Sequence, residues 1–386
     1  MISEKRKQAA SILLFAAIFI LTTAEWNVYE WYMAVNPYGT LFASVMLAGC
    51  FFCCVNLTDA LHDPAFYLMA ATDIYALINL FLVRSHYGAI LTIADVLLIC
   101  YLANKMICSE KMLILGMALP AFYFFYWTID VKGYFKGYNT NYGGLILITG
   151  FSCLMVLITY LRGLLKKRQA KPAALWGLLA LQLFFFALCY NIIAWYRSRC
   201  ALAGLVVVTV LILLPGKVFR NRIFYTFLCF MTTFGAVLVS AVYVWLGRVK
   251  DVFRIRIFYK DILSGREELW EELWLAYLKH PVTGIGSAFR PSDGAFEVHN
   301  GMLDLLFVHG VAVFIVACLF LFLRLMRLRT TVCTDEVAKV LFAGMAAILC
   351  TSFFENFVIV PPFSLIFLML FSLMNERQKY GIIYRL

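Results

Sequence analysis

The sequence predicts an all-α fold, a polytopic membrane helix bundle of about twelve transmembrane helices. Hydrophobic residues make up 63% of the 386-residue chain and charged residues only 14%, whereas soluble domains hold about 45–50% and about 25%. Apolar stretches of about 20 residues recur along the chain, and each is long enough to cross a hydrocarbon core about 30 Å thick. Basic residues cluster in alternate loops between these stretches, as in proteins that thread a membrane several times.

The apolar stretches define the predicted spans. The first follows the basic residues 5–7 without a small-residue cleavage site, so we expect a retained helix and not a cleaved signal peptide. The spans are placed near residues 9–24, 39–57, 64–83, 88–107, 112–129, 142–161, 174–195, 200–215, 223–246, 301–323, 338–354 and 357–374. The eighth is short and is expected to be tilted or half-buried.

The distribution of lysine and arginine predicts the orientation of these spans. If the N-terminus is cytoplasmic, most basic residues of the short loops and both termini fall on the cytoplasmic side, where positive charge is in excess. The short loops of the other side hold only Arg84, Lys132, Lys136, Arg197 and Arg199. Both termini are therefore expected in the cytoplasm. The net charge of +11 then follows from topology, and it does not form the single basic face that nucleic-acid binding needs.

This topology divides the chain into three predicted parts. Residues 1–246 hold transmembrane helices 1–9, residues 247–300 form an extracytoplasmic loop, and residues 301–386 hold transmembrane helices 10–12 and a cytoplasmic tail. Most of the twelve cysteines fall inside apolar spans and none falls in the loop. Such thiols behave as small hydrophobes, and no zinc-type pair of CxxC motifs exists.

The extracytoplasmic loop is predicted to contain an amphipathic helix near residues 265–279. Ser264 and Glu267 have the spacing of a capping box, which makes Gly265 and Arg266 the first helical residues. Apolar side chains between Leu269 and Leu278 recur at helical spacing, and the glutamates among them are expected to face away from this stripe. We expect the helix to lie on the membrane surface or over the mouth of the bundle.

Polar residues start the inward-running helices at the predicted outer face. They are Asn139 and Asn141 before the sixth span, Arg197 and Arg199 before the eighth, Arg266 in the loop helix, and His299 and Asn300 before the tenth. Helix N-termini bind anions through unsatisfied N–H groups, and arginine binds phosphate oxygens through paired donors. The pattern therefore indicates a pyrophosphate site. The alternative is that the arginines only extend to lipid headgroup phosphates.

His299 is the best placed of the five histidines for acid–base chemistry at this face. An unperturbed histidine, with a pKa of about 6.5, can act as a base near neutral pH. Glu297 and Glu355 are alternatives, as the base itself or as the group that orients the imidazole. His299 could also be a plain helix-capping residue, whereas Asn300 is expected to cap the tenth helix or fix its backbone.

Six short motifs follow one another between residues 135 and 360. They are GYNTN, the Ser198-Arg199 pair, SGREELW, AYLKHPVTGIGSAF, HNGMLDLLFVHG and FFEN. Their order, with the long polar loop before the His-Asn pair, resembles the O-antigen ligase and Wzy-type polysaccharide polymerase superfamily of bacterial membrane glycosyltransferases. The architecture of about twelve spans agrees with this resemblance.

The resemblance implies a substrate and a reaction. The donor is a sugar or oligosaccharide on undecaprenyl pyrophosphate, used at the outer face of the cytoplasmic membrane, and transfer is inverting and needs no metal or other cofactor. Carried over onto this sequence, Arg199 and Arg266 hold the pyrophosphate and His299 serves the acceptor. The predicted catalytic residues are His299, Arg199, Arg266 and Glu355; Arg197 is a further pyrophosphate ligand, and Asn141, Trp270 and Asn300 contact substrate.

The favoured function is a polymerase of lipid-linked repeat units for capsule, exopolysaccharide or O-antigen. A ligase that moves glycan to another acceptor and a transporter of lipid-linked sugars or anions are alternatives, although transporters usually show internal repeats. A metal-dependent transferase would need paired carboxylates, for which Glu25 and Glu30 are the candidates. The expected partners are the lipid-linked donor, the acceptor glycan, membrane lipids, and a flippase or chain-length regulator of the same pathway.

Overall fold

The structure, a computed structural model, describes most of the chain. The described residues are 4–27, 29–83, 85–108, 110–134, 140–250, 256–258, 260–263, 265–292, 298–356 and 358–383. They form the predicted all-α fold, to which one short antiparallel hairpin is added.

The first half of the chain contains eight longer helices, which overlap the first eight predicted spans, and one short helix, α3. They are α1 (Glu4–Asn27), α2 (Tyr29–Cys54), α3 (Leu57–Ala60), α4 (Pro64–Leu82), α5 (Tyr87–Leu102), α6 (Glu110–Tyr134), α7 (Thr140–Lys167), α8 (Pro172–Tyr196) and α9 (Arg199–Leu213).

The second half contains a 3₁₀ helix, the hairpin and the remaining helices. They are the 3₁₀ helix Gly216–Arg220, α10 (Arg222–Arg248), β1 (Arg256–Ile257), β2 (Lys260–Asp261), α11 (Arg266–Tyr277), α12 (Gly301–His309), α13 (Val311–Arg327), α14 (Arg329–Thr334), α15 (Glu336–Thr351) and α16 (Phe363–Ile383).

Four of these helices are long and apolar enough to cross a membrane, as judged over the described residues. They are Lys5–Thr23, Gly143–Lys167, Pro172–Tyr196 and Arg222–Arg248, and shorter apolar helices cover Tyr38–Cys54, Gly88–Leu102, Met112–Tyr123 and Arg199–Leu213. A helix needs about 20 apolar residues to span the hydrocarbon core. A helical membrane protein is thus supported, while the number of about twelve spans stays a prediction.

The chain forms two compact units. The first comprises Met1–Cys108, Thr226–Arg327 and Ser352–Asn375, and the second comprises Ser109–Tyr225, Leu328–Thr351 and Glu376–Leu386. In the first unit α1 packs on α2, α4 packs on α5, and α13 packs on both α4 and α5. In the second unit α7 packs on α6, α8, α9 and α15, and α15 is buried along nearly its whole length.

The prediction of one continuous helix over residues 301–323 is wrong. The segment consists of α12 and α13, which are separated at Gly310. Gly310 has φ 89° and ψ 172°, a conformation that is essentially restricted to glycine. A Cβ atom at this position would lie 1.9 Å from the carbonyl oxygen of Val282. The break therefore needs glycine for its backbone angles and for the close approach of another segment.

That segment, residues 281–286, supplies the hydrogen bonds that the broken helix lacks. The Ile285 N–H donates to the Phe307 carbonyl at 2.7 Å, and the Gly286 N–H donates to the Val308 carbonyl at 3.2 Å. The Val311 N–H, at the start of α13, donates to the Pro281 carbonyl at 3.0 Å. Since unpaired backbone groups are costly away from water, this pairing stabilises α12 as a separate half-helix.

A helix, α11 (Arg266–Tyr277), lies where the loop helix was predicted near residues 265–279, and it differs from the prediction in two respects. Gly265 is not helical, because it has φ 83° and precedes the helix as its N-cap, while Ser264 lies outside the described residues. Glu267 does not face solvent: it is 7% exposed, it packs against Gly247 of α10, and its carboxylate lies 3.8 Å from the Lys250 amine. The helix therefore packs against α10 with one of its glutamates inward.

Candidate functional site

The first unit brings three of the predicted site residues into one polar chain. The Arg266 guanidinium donates from Nη2 to Oε1 of Glu355 at 2.7 Å. The other carboxylate oxygen, Oε2, lies 3.2 Å from Nδ1 of His299. The Glu355 side chain is 5% exposed, that of Arg266 12%, and that of His299 33%. The chain thus runs from a largely buried ion pair to an imidazole that reaches the surface.

Glu355 belongs to the turn that follows α15, and this turn organises the whole site. Arg266 Nη2 also donates to the Phe354 carbonyl at 2.9 Å, so one nitrogen holds both the side chain and the backbone of the turn. Nε of Arg266 is buried and has no hydrogen-bond partner among the described residues. Buried ion pairs gain stability only when their geometry is good and their other polar atoms are satisfied. Arg266 therefore retains hydrogen-bonding capacity that its protein contacts do not use.

His299 is held in a left-handed backbone conformation, with φ 52°. Residues other than glycine adopt this region rarely, and such strain costs about 1–3 kcal/mol. Contacts on both sides of the residue maintain it: the Val298 carbonyl accepts from Nε1 of Trp270 at 2.9 Å, and the Asn300 N–H donates to Oδ1 of Asn356 at 2.9 Å. Backbone strain that is maintained in this way is typical of functional sites.

Asn300 caps α12, which is one of the two roles predicted for it. Its side-chain oxygen accepts from the N–H groups of Met302 and Leu303 at 3.1 and 3.0 Å, and its side-chain nitrogen donates to the Phe353 carbonyl at 2.8 Å. The residue is fully buried. The additional prediction that Asn300 contacts substrate does not fit this geometry, because both ends of its amide already bind the backbone.

Trp270 also has a supporting position. Its side chain is 0% exposed, its indole N–H donates to the Val298 carbonyl, and its ring lies 5.1 Å from that of Tyr243. The substrate contact predicted for Trp270 does not fit this burial. The indole instead connects α11 to the backbone next to His299. The apolar stripe of α11 that includes Trp270 indicates burial, and Trp270 is buried.

The second unit brings the two other motifs together. Ser198 is fully buried at the N-cap of α9, and its hydroxyl donates to Oδ1 of Asn141 in the first turn of α7 at 3.3 Å. Gly144 permits this approach, because a Cβ there would lie 2.5 Å from the Ser198 hydroxyl oxygen. Arg199 is the first residue of α9 and is half-buried, at a helix N-terminus as predicted. The paired helix starts thus position Arg199.

Arg197 differs from its neighbour. It ends α8 in a left-handed conformation with φ 54°, and it is exposed. Of the other sequence candidates, Asn139 and Glu297 lie outside the described residues, while Glu25 belongs to α1 and Glu30 to α2.

Sequence reasoning missed the contribution of the turn after α15. The N–H of Gly301, the first residue of α12, donates to the carbonyls of Ser352 and Glu355, and Asn356 binds the backbone of Asn300. The FFEN motif could have indicated this, since Asn356 is the only amide residue beside Glu355. Its role as a clamp becomes evident only from the packing of the turn against the start of α12.

The helices and the site together define a helical membrane protein that holds an Arg–Glu–His chain beside the start of a half-helix. Residues 182–318 match the family model of the O-antigen ligase (Wzy_C) domain. This match covers part of the chain and confirms the resemblance to the O-antigen ligase/Wzy superfamily that the motifs carry. The matched residues include Arg199, Arg266 and His299, whereas Glu355 lies beyond them. Searches of curated proteins and of solved structures found no match.

Proposed function

We propose that the protein is a membrane glycosyltransferase that polymerises lipid-linked oligosaccharide repeat units of a capsule, exopolysaccharide or O-antigen. The donor is the growing glycan on undecaprenyl pyrophosphate, and the reaction takes place at the outer face of the bacterial cytoplasmic membrane. The observation that carries the proposal is the chain Arg266–Glu355–His299, in which a buried carboxylate orients an accessible imidazole. The O-antigen ligase domain supports the substrate class.

In the proposed reaction His299 acts as the general base. Nδ1 faces Glu355, so Nε2, on the opposite edge of the ring, takes the proton of the acceptor hydroxyl. The acceptor oxygen then bonds to the anomeric carbon from the face opposite the pyrophosphate, and the bond from that carbon to the pyrophosphate oxygen breaks. The configuration inverts, and the leaving group keeps the bonding electrons. Glu355 stabilises the imidazolium and fixes the ring, as a carboxylate does for a catalytic histidine elsewhere.

The arginines supply positive charge for the departing pyrophosphate. Fixed guanidiniums favour the transition state, in which the leaving group gains negative charge, over the ground state. The Glu355 carboxylate offsets part of the charge of Arg266, because the two are in contact at 2.7 Å. The family resemblance implies Arg199 as a further pyrophosphate ligand, and we propose this role for it. Arg197 is exposed and is proposed as an auxiliary ligand.

His299→Ala tests the acid–base assignment. Removal of a general base typically lowers the rate by about 10²–10⁴-fold. We therefore expect the rate of transfer to fall by at least about 100-fold, while the protein still binds the lipid-linked donor. The measurement is single-turnover transfer with purified protein, together with donor binding in the same detergent. His280→Ala is the matched control, since His280 is an exposed histidine of the same loop region, and its transfer rate should stay close to that of the wild type. Loss of donor binding in His299→Ala, or an unchanged rate, would reject the base role.

Ligation is the second candidate function, because the matching domain is described as an O-antigen ligase. A ligase joins a finished glycan to another acceptor, whereas a polymerase lengthens the glycan on its lipid carrier. Deletion of the gene in the source bacterium should therefore shorten the surface polysaccharide to single repeat units if the protein polymerises. Gel electrophoresis and mass measurement of the polysaccharide check this. Long chains that accumulate on the lipid carrier without attachment would identify a ligase instead.

A further inference from the structure

The first unit contains a second polar feature, at the end of α13 remote from His299. A cavity of about 400 Å³ lies where the start of α4, the end of α5 and the end of α13 meet. Lys105, Arg324 and Arg327 line it with three cationic groups, and Asp63 contributes a carboxylate. The lining therefore carries an excess of two positive charges. The Arg266–Glu355–His299 chain at the start of α12 shares none of these residues.

The Lys105 ammonium is fixed in position before any ligand arrives. Its nitrogen lies 2.6 Å from Oδ2 of Asp63 and 5.4 Å from the centre of the Tyr101 ring. Asp63 also accepts from the Tyr101 hydroxyl at 3.1 Å and from the Ala65 N–H at 3.0 Å. Burial raises the pKa of Asp63, but the hydrogen bonds from Lys105, Ala65 and Tyr101 outweigh this and hold the pKa below its ordinary value. The carboxylate thus stays ionised and serves as an anchor for Lys105.

Arg324 is anchored from the inner side of the cavity. It is 6% exposed, and its Nη2 donates to Oδ1 of Asn375. The Asn375 amide nitrogen in turn donates to the carbonyls of Ala103 and Met106 at 2.9 and 2.6 Å. Arg327 lies one turn further along α13 and is exposed. The cavity therefore has one buried and one exposed guanidinium on the same helix face.

The remaining wall is apolar and open to the surroundings of the helices. Leu68, Leu319 and Leu323 line the cavity, and they are 43%, 39% and 46% exposed. A free phosphate ion would cover the cations but leave these leucines bare. A molecule with an anionic head and a hydrocarbon tail covers both surfaces. In a helical membrane protein the molecule of that shape in greatest supply is an anionic phospholipid.

We propose that this cavity binds the phosphate group of an anionic phospholipid, with an acyl chain lying along Leu319 and Leu323. Basic pockets between membrane helices are known to take anionic lipid headgroups, and each cation near the membrane surface contributes about 1 kcal/mol to such binding. The proposal does not depend on glycan transfer. It assigns the basic end of α13 a ligand in addition to its role in setting topology.

The test is a titration of the purified full-length protein in a non-ionic detergent with a fluorescent phosphatidylglycerol. Unlabelled phosphatidylglycerol should compete with the probe, whereas phosphatidylcholine and inorganic phosphate should compete much less. Two cations are removed in Lys105→Gln/Arg327→Gln, so the Kd should rise by about 30-fold, which is about five-fold for each cation. Arg327→Gln alone leaves the Lys105–Asp63 pair intact and should give about a five-fold increase. It serves as the second variant if the double variant unfolds.

Arg248→Gln is the matched control, because Arg248 is an exposed arginine of the same unit that pairs with Glu271 and does not line the cavity. Its Kd should stay within about two-fold of the wild-type value, because an exposed charge outside the site contributes little to binding. Equal competition by phosphatidylcholine would overturn the requirement for an anionic head. Equal competition by inorganic phosphate would show a free-anion site and overturn the lipid assignment. An unchanged Kd in folded Arg327→Gln would overturn the site itself.

Discussion

His299 occupies a strained and highly charged position. Its backbone is left-handed, and its imidazole faces a carboxylate that is 5% exposed and forms an ion pair with Arg266. The left-handed backbone persists because the indole of Trp270 and the amide of Asn356 hold the residues on either side of it. Strain that is concentrated at one residue in this way is expected where chemistry, and not stability, sets the local structure.

Glu355→Gln tests whether the carboxylate acts through the imidazole. Glutamine keeps the shape and one acceptor but removes the charge that stabilises an imidazolium. We therefore expect kcat to fall by up to about 10⁴-fold, as it does for the carboxylate of a Ser-His-Asp triad, while the KM for the lipid-linked donor changes little. Residues that act as a unit are not additive. The double variant His299→Ala/Glu355→Gln should therefore be no slower than His299→Ala. Steady-state kinetics of the three variants measure this directly.

The opposite outcome is equally clear. If the two substitutions multiply their effects on kcat, Glu355 and His299 contribute separately, and Glu355 is a base or a ligand in its own right. Glu336→Gln provides the control for the loss of a carboxylate, because Glu336 pairs with Lys339 on the other unit and its side chain is 62% exposed. Its kinetics should equal those of the wild type.

At the residue scale, the sequence identified the residues of the site better than it identified the contacts between them. His299, Arg266 and the Asn300 cap follow from local motifs, because a cap and a helix start are encoded within a few residues. The contact of His299 with Glu355 joins residues 56 positions apart, and no local pattern encodes it. The burial of Trp270 was implicit in the apolar stripe of α11, and a role in substrate binding was the less direct inference from the same pattern.

At the scale of elements, the break between α12 and α13 is the main difference from the sequence prediction. The hydropathy of residues 301–323 is continuous, and one glycine inside a helix is ordinarily tolerated at about 1 kcal/mol. The break arises because residues 281–286 approach the helix at Gly310 and take over the hydrogen bonding of Phe307 and Val308. Because a tertiary contact causes the break, the local sequence alone could not predict the break.

Gly310→Ala should disrupt this junction. The backbone angles of Gly310 are strained for any other residue, at about 1–3 kcal/mol, and the added methyl would collide with the Val282 carbonyl at 1.9 Å. We expect a loss of more than about 3 kcal/mol of stability, or no folded protein, because the strain and the collision add. Thermal unfolding and yield in detergent measure the effect.

The matched control is Gly88→Ala in the same unit. Gly88 lies in α5, and a Cβ there would meet no atom within 4 Å. Alanine is the better helix former by about 1 kcal/mol, so this variant should be as stable as the wild type or slightly more stable. Similar unfolding temperatures for Gly310→Ala and Gly88→Ala would show that the chain can close the break into a continuous helix.

At the scale of the whole molecule, the candidate residues belong to two units. The first unit holds the Arg266–Glu355–His299 chain, and the second holds Arg199 with its supporting pair Asn141 and Ser198. Composition and hydropathy were sufficient to predict the all-α membrane class, because they sum over the entire chain. They were insufficient to divide it into these units, since each unit is assembled from segments that are distant in sequence.

The metal requirement of the reaction tests the assignment of the pyrophosphate ligands. A leaving pyrophosphate must be neutralised by metal ions or by protein cations, and the proposal assigns this task to Arg199 and Arg266. Transfer by the purified protein should therefore proceed at an unchanged rate in excess EDTA, with initial rates of glycan elongation as the measurement. A transferase known to need magnesium, assayed in the same buffer, is the control that EDTA removes the metal. If EDTA stops elongation and added Mg²⁺ or Mn²⁺ restores it, the arginines do not suffice, and Glu25 and Glu30 become the next residues to substitute.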